Sequence, residues 1–150
     1  MRSITTVAVL LAMLCGMAVA AETGEQAFAT RKQTMREMGH ALFIQIGKVA
    51  KGTLPYGPDT VQAAQTLNTL AGKIGTLFPP DSAVKGSKMN PDILKDPQKV
   101  ETLAANVQSQ TVLLLAAVKT GDLSKIGAAA QATGKSCNAC HSQYRLKTAR

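Results

Sequence analysis

The chain has 150 residues, a formal net charge of +8 at pH 7 and 3% aromatic residues. This length is sufficient for one domain with a substantial core and is short for two. The excess of lysine and arginine raises the question of nucleic-acid binding, but the few aromatic residues and the lack of a basic run argue against that class. The charge therefore indicates either a solvated basic surface or a surface that docks an acidic partner.

The first twenty residues have the pattern of a secretory signal peptide. Arg2 lies near the start, an apolar run covers residues 7–14, and residues 18–20 read Ala-Val-Ala, which suits a cleavage site. The apolar run is shorter than the roughly 20 residues that span a bilayer. We therefore predict cleavage after residue 20, a mature domain over residues 21–150, a periplasmic location and no membrane association after cleavage. Removal of Arg2 lowers the formal charge from +8 to +7.

The mature chain divides into four segments with helical periodicity of apolar residues and no strand-like alternation. The first covers about residues 22–50 and ends at Lys51 and Gly52, a cation followed by a helix-ending glycine. The second is predicted to begin behind Asp59 as its N-cap and to end before Pro79, because proline cannot continue a helix. The apolar face predicted for the first helix comprises Phe28, Met35, Met38, Leu42, Ile46 and Val49.

The longest connection covers residues 79–96, and Asn90 with the proline after it can cap a short helical turn within it. The third helix is predicted to begin with Asp96 as N-cap and proline at the first helical position, and to end at Gly121. Asp122 can cap the last helix. Four helices joined by short turns and one longer linker predict an all-α fold, an antiparallel four-helix bundle.

The sequence GKSCNACHSQYR, near the C-terminus, contains the pattern Cys-x-x-Cys-His. With Cys15 assigned to the signal peptide, Cys137 and Cys140 are the two cysteines of the mature chain. Three sites compete: structural zinc, a thiol redox pair, and c-type haem attachment. A structural zinc ion takes four nitrogen or sulfur ligands, whereas the motif supplies three and only His40 remains as a fourth. A thioredoxin-like pair belongs at the start of a helix in a fold with strands, and a disulfide here would constrain little of the chain.

Haem attachment uses every residue of the motif. Two thiols form thioethers with the vinyl groups, and the adjacent imidazole ligates the iron from one face. Cysteines at positions i and i+3 lie on neighbouring turns of one helix face. We therefore predict one covalently attached haem c, with Cys137 and Cys140 as tethers and His141 as the proximal iron ligand. No nucleophile–base pair, carboxylate pair or phosphate-binding loop appears in the sequence, so we do not expect an enzyme.

The haem motif, preceded by TGDLSKIGAAAQATG in an exported helical chain, resembles the cytochrome c prime family, the class II c-type cytochromes. The similarity includes RKQTM, KVAKGTLPYG and LFPPDSAVKG, and so covers essentially the mature chain. It implies an up-down-up-down bundle with haem near one end, bound mainly to the final helix. It also implies that Arg145, in the Tyr-Arg after the ligand histidine, lies close to the proximal side. The alternative is a solvent-facing cation at a helix end.

The resemblance also bears on the distal face of the haem. In the family, the first helix crosses this face with an arginine followed four residues later by an apolar residue or methionine, and Arg31 and Met35 match that pattern. Arg31 is thereby implied to lie near a haem propionate, with a plain exposed arginine as the alternative. We predict Met35 as the sixth iron ligand and Met38 as the reserve, although core packing is the commoner role of such a methionine. His40 lies about 140° around the helix from Met35 and is interpreted as a surface or core histidine.

Two functions follow from the two states of the sixth position. Ligation by both His141 and Met35 predicts a low-spin electron carrier that serves a redox partner protein, an acidic one if the basic surface is its docking site. A sixth position without a protein ligand predicts a five-coordinate, high-spin protein that binds small gases such as nitric oxide. The resemblance leaves both a monomer and a homodimer open, since dimers through the first two helices are common in the family.

Overall fold

The computed structural model describes residues 23–149, and the predicted signal peptide lies outside them. Helix α1 consists of three consecutive segments, which are α-helical Gly24–Gly39, π-helical His40–Ile46 and α-helical Gly47–Ala50. The remaining helices are α2 (Pro58–Ala71), α3 (Pro97–Lys119) and α4 (Leu123–Tyr144). Short 3₁₀ turns lie between α2 and α3, at Ile74–Leu77 and Pro91–Lys95. None of the helices within the described range is both long and apolar enough to cross a membrane.

The four helices pack in cyclic order. Each packs against its neighbour in the chain, and α4 returns to α1 through the π-helical segment and Gly47–Ala50. With the short α1–α2 and α3–α4 connections, this order gives an up-down-up-down bundle, and the predicted fold is confirmed. Residues 23–149 contain no β-strand, only one isolated antiparallel bridge between Met89 and Arg145.

Most of the predicted helix boundaries are confirmed by their hydrogen bonds. The carboxylates of Asp96 and Asp122 accept backbone N–H groups in the first turns of α3 and α4. Asn90 caps the 3₁₀ turn in the linker in the same way, at 3.1 Å. Gly52 and Gly121 follow α1 and α3 with a φ of +70°, the left-handed conformation that glycine adopts readily at a helix end.

Helix α2 differs from the prediction at both ends. Its N-cap is Gly57 rather than Asp59, because Pro58 takes the first helical position, where its missing N–H has no intrahelical partner to lose. Its α-helical part ends at Ala71, with Gly72 at the C-cap. Ile74 and Leu77, which lie within the predicted extent of this helix, belong instead to a separate 3₁₀ turn, where both are buried.

Two apolar clusters fill the bundle. The main cluster is built from all four helices, and Ile46, Leu114 and Ile126 at its centre are each 0% exposed. Burial of such a side chain stabilises the fold by roughly 1.5–3 kcal/mol. The second cluster is smaller and lies between the linker, the start of α3 and the end of α4, with buried residues Met89, Ile93 and Val100.

The π-helical segment of α1 was not predicted. A π-helical turn closes through i→i+5 hydrogen bonds and holds more residues than an α-helical turn. The N–H of Gly47 accordingly bonds to the carbonyl of Leu42. A Cβ on Gly47 would approach that carbonyl oxygen to 3.1 Å, so glycine makes room for the wider turn.

Candidate functional site

The Cys-x-x-Cys-His motif lies in the last two turns of α4. Cys137, Cys140 and His141 are all partly buried, and both cysteines are free thiols. Cys137 packs against the main cluster, whereas Cys140 packs against the second cluster beside Tyr144. The two sulfur atoms therefore lie against adjoining apolar regions, which is a suitable environment for a large, flat, apolar group bound through both thiols.

The electrostatics of the two thiols argue against a redox pair. Burial raises the pKa of both Cys137 and Cys140 above its ordinary value, so neither thiol is a ready thiolate at neutral pH. Redox-active cysteines depend on a lowered pKa. Zinc is also disfavoured, because no three His, Cys, Asp or Glu side chains converge to hold a metal ion within residues 23–149.

His141 is held in its neutral form. Burial lowers the pKa of its imidazole, and the positive charge of Arg145 lowers it further. The neutral imidazole is the form that ligates a metal. Because no group of three His, Cys, Asp or Glu side chains converges at His141 within residues 23–149, an iron held by His141 would need further ligands from a cofactor.

The register between α1 and α4 shows which residues of α1 face the motif. A Cβ on Gly127 would lie 3.8 Å from the Cβ of Ala50, and a Cβ on Gly134 would lie 3.8 Å from the ring of Phe43. Seven residues separate the two contacts on each helix, and the helices run in opposite directions. Seven residues further along α4 from Gly134 is His141, and seven residues back along α1 from Phe43 is position 36. Extrapolated beyond the two contacts that define it, this register brings Met35 to within about one residue of the level of His141, allowing for the π-helical turns.

The two candidate methionine ligands of α1 differ in their surroundings. Met35 is partly buried and packs against the main cluster, as Cys137 does. Met38 is 5% exposed and is a buried member of that cluster, so its side chain already fills the core. His40 is exposed, in agreement with its interpretation as a surface histidine. Ligation by Met35 stays a prediction.

Arg31 is buried, and the alternative of an exposed arginine is wrong. Its side chain is 7% exposed and donates hydrogen bonds of 2.9 Å to the carbonyls of Leu77 and Ser82. It also donates to the hydroxyl of Ser87 at 3.3 Å. The guanidinium lies 5.3 Å from the centre of the Phe78 ring. Arg31 therefore holds the beginning of the linker against α1.

The charge of Arg31 has no acidic partner in the described part of the chain. The ion pairs found there join lysines to aspartates at the surface and do not involve Arg31. Burial lowers the pKa of its guanidinium, which reflects the free-energy cost of a desolvated cation. A buried charge is normally paired with one of opposite sign. A propionate of a bound haem has the negative charge that would pair with the positive charge of Arg31.

Arg145 is exposed at the point where α4 ends, and the chain after it returns along the linker. The N–H of Asn90 donates to the carbonyl of Tyr144 at 2.8 Å, and the N–H of Leu146 donates to the carbonyl of Lys88 at 2.7 Å. The tail and the linker thus form a short antiparallel pairing beside the motif. Arg145 lies close enough to His141 for its charge to lower the pKa of that imidazole.

Sequence reasoning missed three linker residues beside the motif. Ser82 and Ser87 are 0% and 1% exposed, and both bond to Arg31. Met89 is 6% exposed and belongs to the cluster that contacts Cys140. An irregular linker has no periodicity that marks buried positions, so the sequence carried no signal for Ser87 and Met89, and the resemblance of LFPPDSAVKG covered only Ser82.

Comparison with known proteins agrees with this geometry. A family model described as Cytochrome C′ matches residues 26–145. The chain belongs to the cytochrome c′ family. Cytochrome c′ from Alcaligenes xylosoxydans xylosoxydans is 34% identical over 106 residues, which are 70% of this chain and 82% of that protein. Cytochrome c-556 from Agrobacterium tumefaciens strain B2A is 30% identical over 118 residues, 78% of this chain and 94% of that protein.

Solved structures of the cytochrome c′ family share the fold. A ferrous variant of cytochrome c prime from Alcaligenes xylosoxidans with bound NO superposes with a TM-score of 0.75 at 29% identity, over 84% of this chain and 98% of that chain. A carbon monoxide-bound variant of the same protein superposes with a TM-score of 0.74 at 30% identity, over 83% of this chain and 98% of that chain.

As a cytochrome c′ family member, the chain carries covalently bound haem c, and the predicted cofactor is confirmed. The described residues fit this group in three respects. Cys137 and Cys140 lie against apolar regions. His141 is held neutral. Arg31 is a buried cation without an acidic partner among residues 23–149, and its charge is opposite to that of a carboxylate.

Proposed function

We propose that this cytochrome c′ family member is a periplasmic electron carrier in which His141 and Met35 are the axial ligands of the haem iron. The proposal rests on the register of α1 and α4, extrapolated from the Gly127–Ala50 and Gly134–Phe43 contacts, and on the packing of Met35 against the same apolar cluster as Cys137. Imidazole and thioether are the axial pair of electron-carrying c-type cytochromes. The predicted signal peptide supports the location.

The surroundings of Met35 favour it over its neighbours as the ligand. Methionine is unbranched and has three rotatable bonds, so a partly buried thioether can adjust to a metal. Met38 is largely enclosed by the core, and its withdrawal toward a ligand position would leave a cavity. His40 is exposed on another face of α1.

Bound haem supplies a redox-active iron, and the chain controls its environment. Cys137 and Cys140 would fix the ring to α4, and the two apolar clusters against which they pack would give it an apolar environment. The Arg31 guanidinium, anchored by three hydrogen bonds, supplies a buried positive charge that would suit a propionate. Thioether ligation by Met35 favours the reduced state and so raises the reduction potential.

Gas binding is the second candidate function. It is supported by the related cytochrome c prime from Alcaligenes xylosoxidans, of which variants were solved with bound NO and with carbon monoxide. In this alternative, Met35 is not a ligand and its side chain lies over the open distal face as an apolar gate. The same position on α1 serves either role, so the state of the sixth site separates the two functions.

The absorption spectrum of the ferrous holoprotein, with and without carbon monoxide, tests the proposal. We expect a low-spin wild type that binds carbon monoxide slowly, and a high-spin Met35→Leu variant that binds it readily. Met38→Leu is the matched control, a volume-conserving change that should leave the spectrum unchanged and cost less than about 1.5 kcal/mol. A wild type that is already high-spin favours the gas-binding function.

A further inference from the structure

The end of the bundle that carries the haem motif has an exposed basic surface. We name it the linker–tail surface and define it by Lys85, Lys88, Arg145 and Lys147, all of which are exposed. The two segments are held side by side by the hydrogen bonds between Lys88 and Leu146 and between Asn90 and Tyr144. Cations that are far apart in the sequence are thereby brought together by the fold.

The positive charge of this surface is not neutralised by its neighbours. Residues 82–90 and 141–149 contain these four cations and no acidic residue. The flanking acids lie outside the two segments: Asp81 accepts the N–H of Gly24 at 3.0 Å, and Asp92 pairs with Lys95 at 2.7 Å. The two segments together therefore have a formal charge of +4.

The linker–tail surface is connected to one of the haem tethers through a shared apolar cluster. Met89, which follows Lys88, is 6% exposed and belongs to the cluster that contacts Cys140 and Tyr144. Its backbone pairs with Arg145. The pairing is thus joined through Met89 to the cluster that contacts Cys140, so a protein docked on its exposed side lies near the haem attachment.

We propose that the linker–tail surface is the docking site for a redox partner protein with an acidic patch. The inference rests on the proposed electron-transfer function. Opposite charge steers association and fixes orientation, and weak redox encounters bury little area. The surface suits such an encounter, because neither segment contains an exposed large hydrophobic side chain within the described residues. Those that are exposed lie elsewhere, at Phe43, Ile44, Leu54, Tyr56, Val112, Leu113 and Leu123.

The test compares two double variants that change the formal charge equally. Lys88→Glu with Lys147→Glu reverses two charges of the linker–tail surface, and Lys51→Glu with Lys119→Glu reverses two at the opposite end of the bundle. The probe is flavodoxin, a small acidic protein that transfers single electrons. Stopped-flow reduction of the ferric holoprotein at low salt should slow about tenfold for the first variant and less than about twofold for the control.

Binding is measured independently of electron transfer by NMR. Flavodoxin should shift the amide signals of residues 85–90 and 144–149 of the ¹⁵N-labelled holoprotein, and 0.5 M salt should abolish the shifts. If these shifts appear while reduction is undetectable, the electron-transfer function fails and the docking surface stands. Equal slowing of both variants overturns the docking site, as do shifts centred on the opposite end. Binding to anionic lipid vesicles through this surface, without binding to flavodoxin, also overturns it.

Discussion

Arg31 and Met89 are joined through one hydroxyl group, the Oγ of Ser87. This oxygen accepts a hydrogen bond of 3.3 Å from the guanidinium of Arg31 and one of 3.1 Å from the backbone N–H of Met89. Met89 in turn pairs with Arg145 at the end of α4. The first helix is therefore connected to the end of the haem-bearing helix through the linker, in addition to the packing of the core.

The first prediction is that Arg31 is required for stability. Arg31→Met removes the donors of two buried carbonyls, at Leu77 and Ser82, and should lower the free energy of unfolding by about 3 kcal/mol. Denaturant titration of the holoprotein measures the change. Arg31→Lys should recover only part of it, because an ammonium group lacks the forked geometry. Lys32→Met, at the exposed neighbouring position, should stay within about 0.5 kcal/mol of wild type. Equal stability of the two Met variants contradicts the prediction.

The second prediction concerns covalent attachment. Intact-mass spectrometry of protein exported where haem-attachment machinery is active should give residues 21–150 plus one haem, with no free thiol. Loss of one tether in Cys137→Ser should leave one thioether, and the double variant with Cys140→Ser should carry none. An unmodified mass with a disulfide between the two cysteines in the wild type shows that the motif does not attach haem.

The third prediction separates the two histidines. His141→Ala should retain tethered haem but lose its proximal ligand, which changes the absorption spectrum. It should also lower stability by about 3 kcal/mol, because ligand binding and folding are linked. His40→Ala is the control, since His40 is exposed on α1 and should alter neither property. An unchanged spectrum and melting temperature in His141→Ala contradict the assignment.

The fourth prediction uses two glycines of α1. A Cβ on Gly24 would overlap the backbone carbonyl of Asp81, so Gly24→Ala must displace the linker and should cost about 1–3 kcal/mol. A Cβ on Gly39 would meet nothing within 4 Å, so Gly39→Ala should stabilise the helix by about 0.5–1 kcal/mol. Thermal unfolding of both holoproteins measures the contrast. We expect the stability to decrease in Gly24→Ala and to increase in Gly39→Ala. An increase in Gly24→Ala contradicts the prediction.

The features predicted correctly from the sequence are those with a local physical cause. Asp96 and Asp122 cap helices through their own side chains, and Gly52 ends α1 through its own backbone freedom. The haem motif was found in the same way, because its three reactive side chains lie within five consecutive residues. The predicted extent of α2 was wrong because Pro58 and Gly72 lie at its ends. The periodicity of apolar residues carries no information about these two positions.

The features that were missed depend on contacts between distant parts of the chain. Arg31 bonds to residues about fifty positions away, and no local pattern distinguishes a buried arginine from an exposed one. The pairing of Lys88 with Leu146 joins an irregular linker to a short tail, and neither has strand periodicity. The basic linker–tail surface depends on that pairing, so the sequence alone showed a net charge without its location.

The π-helical segment His40–Ile46 determines the rotational phase between the two ends of α1. One residue more or less in a regular helix rotates everything beyond it by about 100°. Met35 and Met38 precede the segment and Ile46 ends it, and all three pack in the main apolar cluster. A regular α-helix of the same sequence would give the residues before and after the segment a different relative rotation. The wide turn therefore sets which residues from the first half of α1 share a face with those of the second half.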